Sequence, residues 1–69
     1  MSKLILNRIK AVLAERGRNG KELAAYLDKT ETTVSRWCTN DTQPTIETLY
    51  EISKFLGVDI RELLVATGK

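Results

Sequence analysis

Residues 20–37 read GKELAAYLDKTETTVSRW. Leu23, Ala24 and Leu27 fall at helical spacing, and a second helical pattern follows Thr30 with Val34 and Trp37 on one face. Three threonines, a serine and a valine make the second pattern a poor helix on propensity alone. Two helices joined by so short a turn must cross steeply, which requires a small residue on the first where the second passes over it. Ala24 meets that requirement, and Leu23 and Leu27 can then pack against Val34 and Trp37. The side of the second helix bearing Glu31, Thr32, Thr33, Ser35 and Arg36 is left without an apolar partner.

The rest of the chain reads as helix as well. Ile5, Ile9, Val12 and Leu13 recur at helical spacing up to Gly17, where a left-handed residue ends the first helix. Asn19 precedes Glu22 by three residues, a capping box that starts the second helix, and Thr30 caps the third with Glu31 at its positive end. Asn, Asp and Thr from Thr39 to Pro44 form a turn. Thr45 caps a fourth helix through Ile46, Leu49, Ile52, Phe55 and Leu56, which Gly57 closes. Asp59 and Glu62 repeat the capping box for a fifth helix through Ile60, Leu63, Leu64 and Val65. No segment alternates with period two, so the expectation is an all-α fold of five short helices in one domain over 1–69, with a core spanning 4–65.

Composition narrows the chemistry. In 69 residues there is one cysteine, Cys38, and no histidine, which removes disulfide staples, Cys/His zinc sites and a Ser-His-Asp triad. Cys38 reads as a small half-buried hydrophobe. Glu47 and Glu51 share a helix face but have no base behind them, so no enzyme is expected, and no cofactor or metal either. The absence of a long apolar run or a leader-like start predicts a cytoplasmic protein with no membrane association. Residues 1–36 carry eight Lys or Arg against four acids, whereas the remainder is net acidic, so phosphates belong at the N-terminal half. Four aromatic residues cannot supply the stacking platforms of single-strand RNA modules. Trp37 reads as core and Tyr26 as a partly exposed helix residue.

The segments RIKAVLAERG (8–17), KELAAYL (21–27), TTVSRW (32–37) and QPTIETLYEISKFLGVDIRELL (43–64) together resemble the lambda-repressor-like (XRE or Cro-like) helix-turn-helix regulators. The resemblance runs from about Asn7 to Leu64 and is most specific in its last stretch. It implies sequence-specific binding of double-stranded DNA by a small transcriptional regulator, with the helix at about 31–38 in the major groove. On that reading Thr32 and Thr33 offer hydroxyls and methyls to base edges, and Arg36 can take a guanine edge. Glu31 can accept from cytosine or simply serve the helix dipole. Asn19, Gly20 and Lys21 are expected to face one phosphate run, and Thr39, Asn40, Thr42 and Gln43 another, although ordinary turn chemistry also explains Thr39 and Asn40.

Three positions depart from the family's usual pattern. Gly20 stands where relatives often carry a phosphate-binding glutamine. Asp28 and Lys29 stand where the turn has glycine and a buried aliphatic; aspartate tolerates the left-handed conformation at some cost, and Lys29 can cover core with its methylenes. Leu13 and Cys38 replace an arginine–glutamate pair and should therefore meet. Relatives commonly dimerise near the last helix, which points to a homodimer through Val58, Ile60, Leu63, Leu64 and Val65. The competing expectation is a protein-interaction module such as an antitoxin, whose main partner is a toxin protein.

Overall fold

The first helix starts later than its apolar spacing suggests. In the computed structural model, which describes residues 4–66, α1 spans Ile9–Glu15 and Ile5 lies outside it, 57% exposed. The cause is Asn7. Its Oδ1 accepts the Ile9 N–H at 3.1 Å, and its Nδ2 donates to Trp37 O and Gln43 Oε1 at 3.0 and 2.7 Å. A side chain held this way terminates the helix upstream of Ile9. The preceding backbone instead runs antiparallel to the end of the domain: Arg8 N–H donates to Leu63 O at 2.8 Å and Val65 N–H to Leu6 O at 3.1 Å.

The remaining helices begin where side chains can accept first-turn amides. In α2, Gly20–Leu27, Asn19 Oδ1 accepts Glu22 N–H at 2.8 Å while Glu22 accepts Asn19 N–H at 3.1 Å, a complete capping box. Thr30 Oγ1 accepts Thr33 N–H ahead of α3, Glu31–Cys38, and Thr45 Oγ1 accepts Thr48 N–H ahead of α4, Ile46–Leu56, both at 3.1 Å. Gly57 at φ 68° ends α4. Asp28 adopts φ 58°, ψ 44° and ends α2, and the Lys29 N–H then donates to Ala24 O at 2.9 Å. The turn thus forms with aspartate in the left-handed region that glycine occupies more readily.

The fold is all-α among the described residues, with α1 to α4 followed by a 3-10 turn at Ile60–Leu63. This last element corrects the expected fifth α-helix. Asp59 Oδ1 accepts the N–H of Arg61, two residues on, so the second capping box does not form. The Arg61 guanidinium also bonds Asp59 and holds its carboxyl below the usual carboxylate range. Leu64 and Val65 are already extended, drawn off by the pairing with Leu6 to Arg8.

Ile9, Val12, Leu13, Leu23, Ala24, Val34, Trp37, Leu49, Ile52, Leu56 and Leu63 form one buried cluster. Buried Ala24 lies where α2 and α3 pack, α1 meets α3 and the 3-10 turn, and α4 meets α2 and the same turn. Leu63 is 0% exposed at this junction, so it belongs to the monomer's interior and not to the surface expected to meet a second copy. Val58 and Ile60 also pack partly against the core. Of the five residues proposed from sequence for the dimer contact, Leu64 is the one left well exposed, at 41%, and Val65 is half-buried.

Candidate nucleic-acid interface

Each residue of α3 advances about 100° around the helix axis. With Val34 and Trp37 buried against α1 and α2, the opposite direction falls on Thr32, Ser35, Arg36 and Thr39, and all four are exposed. Glu31 is exposed at the side of this face. Thr33 lies on the other side and is half-buried, its hydroxyl accepting from Thr30 Oγ1 at 2.9 Å. Neighbouring side chains of the monomer therefore leave Thr32 and Arg36 uncovered. Ser35 lies on the exposed side where its spacing puts it, three residues after Thr32, although no base contact was expected of it.

The start of α2 presents one flank. Asn19 and Lys21 are exposed, and the Asn19 side-chain oxygen is occupied by its capping bond. At Gly20 an added Cβ would meet Val34 Cγ1 at 3.5 Å, an ordinary contact, so packing does not demand glycine there. Among the described residues no ion pair engages Lys21 or Arg36; the pairs formed are Arg8–Glu15, Arg18–Glu22 and Arg61–Asp59.

The loop after α3 differs from expectation. Asn40 is 8% exposed and left-handed at φ 63°. Its Oδ1 accepts from Leu6 N–H, Asn7 N–H and Gln43 Nε2 at 2.9, 3.0 and 3.1 Å, and its Nδ2 donates to Asn7 O at 3.2 Å. The side chain assigned to phosphate from sequence is turned inward, because it satisfies backbone groups at the entrance to α1 that no helix or sheet provides for. Gln43 braces the same cluster through Asn7 and Asn40, although the residue remains exposed overall. Thr39 and Thr42 stay at the surface. Thr39 Oγ1 lies 3.2 Å from Arg36 O and 3.0 Å from an Asp41 carboxylate oxygen.

Between the end of α1, the start of α2 and the outer part of α3 lies a hollow of about 330 Å³. Leu13 and Cys38 both line it, and Lys10, Arg18, Asn19, Ser35 and Thr39 also border it. Burial pushes the Cys38 thiol up from its ordinary value while the nearby Lys10 charge opposes this, so the sulfur stays protonated near neutrality. The aromatic rings serve packing. Trp37 is buried, Tyr26 packs against Phe55 in a tilted arrangement with ring centroids 4.8 Å apart, and the Arg18 guanidinium covers Phe55 at 5.0 Å.

Two helices crossing over a left-handed turn, with the second presenting a polar face between two exposed flanks, define a helix-turn-helix domain. A family model described as helix-turn-helix matches residues 9–63. The chain belongs to this family, in its lambda-repressor-like form. Its structure resembles the crystal structure of a provisionally assigned DNA-binding protein from Bacteroides fragilis, with a TM-score of 0.87 and 45% identity over 90% of this chain and 100% of that one. It also resembles a transcriptional regulator from Listeria innocua at a TM-score of 0.71, with 23% identity over 94% of this chain and 64% of that one, a likeness of fold. No curated protein matches the chain. Among the described residues no helix is long and apolar enough to cross a membrane.

Proposed function

We propose that this chain is a DNA-binding transcription regulator that reads a specific duplex sequence with α3 in the major groove. The observation that carries this reading is the outward face of Thr32, Ser35 and Arg36, exposed and without an acidic partner for Arg36 among the described residues. A major groove about 12 Å wide admits one helix, and short hydroxyls with one long guanidinium suit base edges at two depths. Lys21 and the outer groups of Asn19, Thr39 and Thr42 hold the backbone on either side, which sets register and carries no sequence information. Asn40 and Gln43 contribute by bracing the second flank from within.

A homodimer would place two such helices on successive turns of one face of the duplex. Leu64 is exposed beside Leu6, and Leu4 and Ile5 continue the apolar surface. An exposed apolar surface of this kind suits burial against a second copy of the chain.

Selection of bound duplexes from a random pool supplies the site and its symmetry. Against that site, Arg36→Ala is expected to relax preference at one base pair, a loss of about 1–3 kcal/mol of discrimination. Lys21→Ala is expected to weaken all sequences alike and to lower the salt slope by about one. Unchanged discrimination at every position in Arg36→Ala would remove the base-reading role.

A further inference from the structure

We propose that the groove between the end of α2, the turn at Lys29 and the first turns of α4 docks a basic amphipathic helix of a protein partner. The groove holds about 590 Å³, and its walls include Leu27, Lys29, Ile46, Glu47, Tyr50 and Glu51. Ile46 and Tyr50 are four residues apart and so stack one turn apart on one face of α4, 71% and 54% exposed. The monomer's core takes Leu49, Ile52, Ser53 and Leu56 from this helix and leaves that stripe over. The turn Asp28–Thr30 holds no apolar side chain to cover it.

Charge selects the occupant. Glu47 and Glu51 are also one turn apart, beside the apolar stripe, and among the described residues no ion pair engages them or Lys29. The Lys54 ammonium lies over the Tyr50 ring at 5.4 Å instead of on either glutamate. A partner helix lying along α4 sets two apolar side chains at i, i+4 against Ile46 and Tyr50, and Lys or Arg at the same spacing against the two carboxylates. Lys29 on the opposite rim repels a segment that is basic all round, which fixes the edge of the partner helix that carries its cations. A duplex does not suit the groove, because the carboxylates repel phosphates and none of Thr32, Ser35, Arg36 and Thr39 borders it. A second copy suits it poorly as well: across a two-fold axis four carboxylates would meet two Lys29 ammonium groups, and Leu64 with Leu4 and Ile5 lies outside the groove. The inference stands apart from the DNA-binding reading.

The test uses the whole chain and phage-displayed random peptides of about 16 residues, some four helical turns. Selection is expected to enrich sequences with apolar residues three or four apart, flanked by Lys or Arg. A synthetic peptide of enriched sequence should bind Ile46→Ser roughly tenfold more weakly than wild type, and its affinity for the double variant Glu47→Gln, Glu51→Gln should lose most of its salt dependence. Thr32→Ala, on the outward face of α3, should bind the peptide as wild type does. Enrichment of acidic sequences, no enrichment, or a peptide affinity that Ile46→Ser retains overturns the inference. Self-association that Ile46→Ser abolishes, read by sedimentation equilibrium, assigns the groove to a second copy and overturns it too. None of these results bears on duplex binding, which Arg36→Ala tests separately.

Discussion

Asn40→Ala is expected to destabilise the domain by on the order of 3–7 kcal/mol. The Asn40 side-chain oxygen accepts the Leu6 and Asn7 amides, and its Nδ2 donates to Asn7 O. Removing it leaves the two buried Asn7 groups without partners, at roughly 1–3 kcal/mol each, while the part-buried Leu6 amide can reach water. Alanine must also hold a left-handed backbone, for about a further 1 kcal/mol. A domain of this size has a total stability of roughly 0.05–0.15 kcal/mol per residue, so the loss is comparable with the whole. Asn40→Gly tolerates the backbone and keeps only the hydrogen-bond loss, so it should fall between Asn40→Ala and wild type. Urea unfolding measures both. A change under about 1 kcal/mol for Asn40→Ala would show that water replaces the asparagine without penalty.

The second large effect separates two adjacent leucines. Leu63→Ala should cost about 2–5 kcal/mol, because a fully buried side chain leaves a cavity where α1, α4 and the 3-10 turn meet. At roughly 4–8 °C per kcal/mol for a small domain, the midpoint of thermal unfolding should fall by more than about 8 °C. Leu64→Ala, at an exposed position, should stay within about 0.5 kcal/mol of wild type when monomeric. Its expected effect is on self-association, read by sedimentation equilibrium. Equal destabilisation by both changes would contradict the division between core and partner surface drawn at these residues.

How much was legible in the sequence follows from the range of each interaction. The caps at Asn19, Thr30 and Thr45 act over three residues, and spacing alone reveals them. The left-handed turn at Asp28 was legible because apolar periodicity stops and restarts around it. Asn7 and Asn40 are 33 residues apart, and a polar residue in a turn is indistinguishable by type from one that is about to face a phosphate. The end of the chain was misread for a similar reason. Leu63, Leu64 and Val65 satisfy a helical pattern, but pairing with Leu6 to Arg8 draws the backbone out of helix after Leu63. Within α3 the exposed side was legible at Thr32, Ser35 and Arg36, whereas the 100° step turns Thr33 aside, where it is half-buried against Thr30.

The hydroxyl-rich sequence of α3 is thus poor in helix propensity for a structural reason. Thr30 supplies the cap, Val34 and Trp37 supply the anchoring, and the other positions are released from packing. A helix whose stability comes from two buried side chains and a cap can carry any polar residues that its outer face needs. The flanks depend on the same economy: Asn40 and Gln43 hold the loop from inside while Thr39 and Thr42 remain at the surface.

The most direct measurement is a salt titration of wild-type protein with a duplex selected from a random pool. If α3 enters the major groove with backbone contacts on both flanks, some 6–10 phosphates are neutralised, and affinity should fall by about 10³–10⁵ between 50 and 200 mM salt, linearly in log–log form. Affinity that is indifferent to salt over that range, or no duplex binding at all, would contradict the account.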